Sequence, residues 1–136
     1  MKWFSSCLTF LFLTLCFGAQ SQDLKDKSNH VVGHIESDGK ILNSSNHVIG
    51  FIEDGKILNS ARHVIGFIED DQVLNASRHV IGFLEDDGKV LNASRHVIGY
   101  IEDGDVLNSS RHKIGTIDKV NWKYAAIYYF FKIIEE

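Results

Sequence analysis

The sequence predicts an all-β fold, a shallow closed β-barrel of about five to six repeated β-hairpins with an apolar C-terminal segment. Three observations carry this expectation. A unit of sixteen or seventeen residues recurs almost unchanged, as in HVIGFIEDGKILNSAR from His47 to Arg62. Within each unit, two β-branched and aromatic runs flank a tip such as Asp54-Gly55. The array also opens on the second half of a unit and ends on the first half.

Residues 1–21 are a different text. Lys2 supplies a positive start, Trp3 to Phe17 an apolar run, and Ala19-Gln20-Ser21 a small-residue cleavage pattern. That run is short for a membrane span, which needs about 20 apolar residues. The segment therefore reads as a secretory signal peptide, cut to leave Gln22 first. Cys7 and Cys16 both lie inside it, so the mature chain, residues 22–136, has no thiol and no disulfide framework. The chain of 136 residues has room for one domain, and loss of Lys2 takes the formal charge from −4 to −5. Mild acidity argues against nucleic acid, whose phosphates need a basic stripe.

Leu24 to Asn29 align with Ile41 to Asn46 as a degenerate second half-unit. Complete units begin at His30, His47, His63, His79 and His96, and a partial one at His112. Taking Asp54-Gly55 as a type I′ turn, Ile52 faces Ile57, Phe51 faces Leu58 and Gly50 faces Asn59. Two units carry an extra residue, and it falls at the tips, Ser37-Asp38-Gly39 and Asp86-Asp87-Gly88. The Asn-Ser turns before each histidine never change length, so geometry fixes them and the tips lie free in solvent. Asn46 tolerates the left-handed conformation, whereas Arg62, Arg78, Arg95 and Arg111 are expected to avoid it. Pairing the two terminal half-units would close a ring and remove the exposed edges. The alternative is a β-solenoid with one repeat per rung. It would stack Glu53, Glu69, Glu85 and Glu102 about 4.8 Å apart, an unfavourable column of like charges.

The phrase from Gly39 to Ile52, repeated and followed by an Ala-Ala-aromatic tail, resembles the β-flower family. The resemblance covers Leu24 to about Ile134. It implies a short symmetric barrel with hairpin petals and a secreted or envelope-attached bacterial protein, with no established activity. The chain departs from the family pattern in having Arg or Asn where turn glycine is common, and in carrying more complete repeats than the four-fold members.

Six histidines recur at one position, His30, His47, His63, His79, His96 and His112. Of these His47, His63, His79 and His96 are the weak candidates for a metal. Neighbours about 9–10 Å apart do not readily share an ion whose bonds to nitrogen are about 2.0–2.1 Å long. No metal or other cofactor is expected, and the histidines read as strand-entry residues beside the turns. The acidic tips lack the oxygen spacing of a calcium loop. The Asn-x-Ser triplets are good turn chemistry. Ser, His and Asp recur with the repeat, whereas a catalytic site needs an asymmetric constellation, so no enzyme is expected.

Both strand faces are apolar. Simple alternation puts Val48, Gly50, Ile52 and Ile57 on one face and Ile49, Phe51 and Leu58 on the other. The apolar surface or lumen candidates are therefore Ile49, Phe51, Phe67, Phe83 and Tyr100. A barrel buries only its inner face unaided. The tail, residues 121–136, is expected to cover the second face, leaning towards a buried strand with a short docking helix as the alternative. The expected function is an exported structural or binding module, periplasmic, outer-membrane-associated or extracellular. Its partner would be a protein or envelope component, or lipid. The alternative is a carrier of lipid or another small apolar ligand in the barrel lumen.

Overall fold

The computed structural model describes residues 22–134; the signal peptide expected over 1–21 lies outside them. Twelve strands follow one another: β1 (Asp23–Asp26), β2 (Val31–Ile35), β3 (Lys40–Asn43), β4 (Val48–Glu53), β5 (Lys56–Asn59) and β6 (Val64–Glu69). Then come β7 (Gln72–Asn75), β8 (Val80–Leu84), β9 (Lys89–Asn92), β10 (Val97–Glu102), β11 (Asp105–Asn108) and β12 (Lys113–Ile117). Each pairs antiparallel with its neighbours, and β1 pairs with β12 through Leu24↔Ile117, Lys25↔Thr116 and Asp26↔Gly115. The two terminal half-units thus close the ring, as the array's ends predict, and no solenoid forms. Five of the six hairpins have covalent tips. The sixth, β12 with β1, is assembled from the two ends of the array.

The hairpin register is the expected one, Ile52↔Ile57, Phe51↔Leu58, Gly50↔Asn59 and Glu53↔Lys56. Two-residue tips take positive φ at both positions, Asp54 at 49° and Gly55 at 79°, as a type I′ turn requires. In the longer tips only the glycine turns left-handed, at 93° for Gly39 and Gly88. There the glycine is required twice over, because a Cβ at Gly39 would also overlap the carbonyl oxygen of Ile52.

The opposite turns are built by their asparagine. Asn43 Oδ1 accepts from Ser45 N at 2.9 Å and from His47 N at 3.0 Å, and Asn59, Asn75, Asn92 and Asn108 repeat the pattern. This geometry forces the residue before each histidine into the left-handed region. Arg62, Arg78, Arg95 and Arg111 all have φ of 67–68°, against the expectation that arginine would avoid it. The cost, of order 1–3 kcal/mol each, is held by the turn and offset by what the side chain then reaches.

Across these turns the register slips. Leu42 faces Val48 but Ile41 faces Gly50, so Ile49 is the extra residue of a β-bulge. The bulge corrects the simple alternation: Ile49 joins the inner wall, and Val48, opposite Leu42, turns outward. Leu24, Ile35, Ile41, Ile52, Ile57, Val73, Leu84, Val90, Ile101 and Val106 complete that wall, all buried. Each such side chain contributes about 1.5–3 kcal/mol.

The tail is helical, and it lies inside the ring. Helix α1 (Trp122–Ala126) is capped by Asn121, whose Oδ1 accepts from Lys123 N at 2.9 Å, and a π-helical turn, Ile127–Phe131, continues it. Left-handed Lys132, at φ 50°, ends it. Ala125, Ala126 and Ile127 are fully buried within the core. The expectation that this segment covers the outer face is therefore corrected: apolar on nearly every position, it fills the larger enclosed apolar surface, the lumen.

Candidate functional site

Six glycines, Gly33, Gly50, Gly66, Gly82, Gly99 and Gly115, sit at one level of the inner wall, next to the Asn-Ser turns. Against each lies one tail side chain. Tyr128 meets Gly33, Tyr129 meets Gly115, Phe130 meets Gly99 and Phe131 meets Gly82. Ile133 meets Gly66 and Ile134 meets Gly50. A methyl group at Gly82 or Gly99 would overlap the facing phenyl ring outright. The glycines make the lumen wide enough for the tail at this level.

The tail also ties the noncovalent hairpin. Tyr129 Oη donates to the carbonyl oxygen of Lys25 on β1 at 2.6 Å and lies 3.4 Å from that of Thr116 on β12. Tyr128 Oη donates to the carbonyl of Val32 on β2 at 3.3 Å, and the two rings meet edge to face at 5.3 Å. Burial, with neighbouring Tyr128 adding to it, pushes the Tyr129 phenol well above its ordinary 10.0, so it stays a donor throughout the physiological range. At the tip end Lys123 Nζ bonds Asp71 Oδ1 at 2.5 Å, tying α1 to the β6–β7 hairpin.

The remaining candidates lie on the outside. Phe51, Phe67, Phe83 and Tyr100 each carry a guanidinium 3.9–4.0 Å from the ring centroid, from Arg62, Arg78, Arg95 and Arg111 in turn. Three of these arginines continue to a carboxylate: Glu53 at 3.1 Å, Glu69 at 2.8 Å and Glu102 at 3.0 Å. Phe51 and Phe67 are thereby left only 9% exposed. The outer apolar stripe is covered by arginine, and Ile49 belongs to the inner wall instead. Sequence reasoning missed this cover, although a signal existed. Where the aromatic is replaced, by His34 or Thr116, the turn arginine is replaced too, by Asn46 or Asn29.

The recurrent histidines, His47, His63, His79 and His96 among them, stand exposed on the turn loops. Among the described residues no group of three or more His, Cys, Asp or Glu is placed to hold a metal. His34 instead pairs with Asp23 at 2.9 Å. The hairpin tips are acidic, and an open groove of about 1060 Å³ runs between two of them and the tail, with Asp86, Asp103, Ile101, Ile117 and Trp122 in its lining.

Fold and lumen together define a closed barrel of repeated hairpins filled by its own C-terminal segment. The chain matches, over residues 21–132, the family described as 5-fold beta-flower protein, and it belongs to that family. The chain has five complete repeats, and its sixth hairpin is made from the two ends of the array. No curated protein and no solved structure matches it.

Proposed function

We propose that this β-flower protein is an exported, non-catalytic structural or binding module of a bacterial envelope, acting through its outer surfaces. The observation that carries the reading is the filled lumen. Residues 125–134 occupy the space a carrier would need for its ligand. What remains available to a partner is the acidic tip end, the turn end with its exposed histidines, and the wall. The ionisable side chains recur with the repeat, which favours a scaffold over the asymmetric constellation of an active site. The signal-like segment at residues 1–21 supports export.

Native mass spectrometry of protein purified from its own cells tests the first part. The expected spectrum shows the polypeptide alone, and a retained lipid would restore the carrier reading. Intact mass tests the second. A chain beginning at Gln22 with no added lipid is expected, and diacylglycerol on Cys16 would overturn it.

A further inference from the structure

Almost identical repeats pose a problem of number. The junction between petals is the same each time: Ile57↔Gly66 then Leu58↔Val64 repeats as Val73↔Gly82 then Leu74↔Val80, with the same bulge. No single junction prefers six petals to five or seven, and a barrel's diameter grows with its number of strands. The array supplies strands for six petals, and the lumen that six enclose must be filled by something outside the repeat.

The tail has the property required. From Tyr128 to Ile134 it faces β2, β12, β10, β8, β6 and β4 in that order, one petal per step, and returns beside its start. None of the six inner-wall glycines is left without a tail side chain and none receives two. Only Lys132 meets no glycine; it is exposed and left-handed where the π-helical turn ends. That turn also serves the pattern. With bonds from i to i+5 it rotates less per residue than an α-helix, so consecutive side chains reach adjacent petals rather than skipping one. The aromatic and β-branched composition supplies bulk to every subsite.

We infer that the lumen is a peptide-binding site of six glycine-floored subsites, and that residues 128–134, read one side chain per petal, are matched to a ring of six and stabilise that ring over five or seven petals. A ring of five would be too narrow for this segment. A ring of seven would leave one subsite empty.

Four full-length mature chains test this. Deleting residues 63–78 removes one petal, including Gly66, whose partner is Ile133. Melting temperatures are measured for the six-petal and five-petal chains, each with and without Ile133. The five-petal chain with the intact tail should melt at least about 10 °C below wild type, since small domains shift several degrees for each modest loss. Deleting Ile133 should lower the melting temperature of the six-petal chain and raise that of the five-petal chain. The reversal of sign is the readout, because a merely structural isoleucine would be lost at a cost in both. Loss in both, or no change in both, overturns the inference. If neither five-petal chain folds, duplication of residues 63–78 gives seven petals, and an isoleucine inserted after Ile133 should raise stability there and lower it in wild type. If no altered ring folds with either tail, the wall itself fixes the count and the inference falls.

Discussion

The same twelve strands present two apolar walls, and the two are closed in opposite ways. Each outer aromatic is covered by an arginine of the adjacent turn, so a repeat largely brings its own cover, and four petals do this independently. The inner wall cannot be covered that way. Its volume is shared by all petals, and one segment from one chain end fills it for the whole ring. A repeated sequence can thus solve its outer surface locally, but needs a unique segment for its centre. Damage should follow the same division, global for the inside and local for the outside.

The largest effect should come from removing residues 119–136. The twelve strands would all remain, yet the lumen would lose the four aromatic side chains of residues 128–131 and several aliphatic ones that fill it, each worth about 2–5 kcal/mol, against a typical total stability of about 5–15 kcal/mol. The 22–118 fragment should lose its cooperative thermal transition and elute as aggregate on size exclusion beside the full mature chain. A soluble fragment with a sharp melt would break the comparison by showing that the inner wall needs no filling.

Single glycines come next. In Gly82→Ala the new methyl would overlap the Phe131 ring and lie 2.6 Å from the Leu91 carbonyl oxygen, so at least about 3 kcal/mol should be lost. Gly104→Asn is the control from the hairpin tips. Its φ of 86° suits few residues but asparagine is among the more tolerant, and the nearest atom to a Cβ there is the Ile117 carbonyl oxygen at 3.3 Å. It should cost about 1 kcal/mol. Urea unfolding of both variants measures the difference, and equal losses would mean that the glycine row is not special.

This contrast also explains what could be read from the chain alone. The hairpin register, both kinds of turn and ring closure were legible, because each depends on neighbours close in sequence or on the phase of the repeat. Asp54-Gly55 fixes Ile52 opposite Ile57 without any other part of the molecule. The placement of Ile49 was not legible, since a bulge inverts strict alternation and leaves no mark in composition. Nor was the helical tail, whose aromatic and β-branched residues favour strands until a closed lumen surrounds them. Nor were the left-handed arginines, since the intrinsic cost of that conformation shows in the chain while the ring that each side chain reaches, and the carboxylate that three of them reach, do not. The glycine row was visible as a repeated Ile-Gly or Val-Gly, but its meaning depends on a segment lying many residues away.

A smaller effect sharpens the inner side. Tyr129→Phe removes the hydroxyl that bonds the Lys25 carbonyl across the closing hairpin, and should cost about 1–2 kcal/mol at neutral pH. Its pH dependence has a definite sign. The folded phenol is held above its ordinary 10.0, chiefly by burial, so its contribution is complete below that value. As pH rises past it, the unfolded chain releases a proton that the folded chain keeps, and stability falls. Wild type should therefore lose stability more steeply above pH 10.0 than Tyr129→Phe does, measured by urea unfolding at stepped pH. Parallel curves would show that this phenol is not what the alkaline loss reports.

The smallest effect should lie outside, at Arg78. Its guanidinium stands 4.0 Å from the Phe67 centroid and 2.8 Å from Glu69, on a backbone held at φ 67°. Arg78→Asn would lose the ring contact, about 0.5–1 kcal/mol at an exposed site, and an ion pair worth about 0–1 kcal/mol. It would also relieve much of the left-handed strain, because asparagine adopts that conformation more readily. The terms nearly cancel, so stability should change by less than about 1 kcal/mol. The ring already holds this arrangement, since Asn29 and Thr116 occupy the equivalent positions beside the closing hairpin. What should change is solubility: uncovered Phe67 should bind an apolar dye, and Phe67→Thr in the same chain should abolish that binding. Thermal melting with dye fluorescence reads both. An unfolding loss as large as that of Gly82→Ala would mean that the outer cover, too, belongs to the ring as a whole.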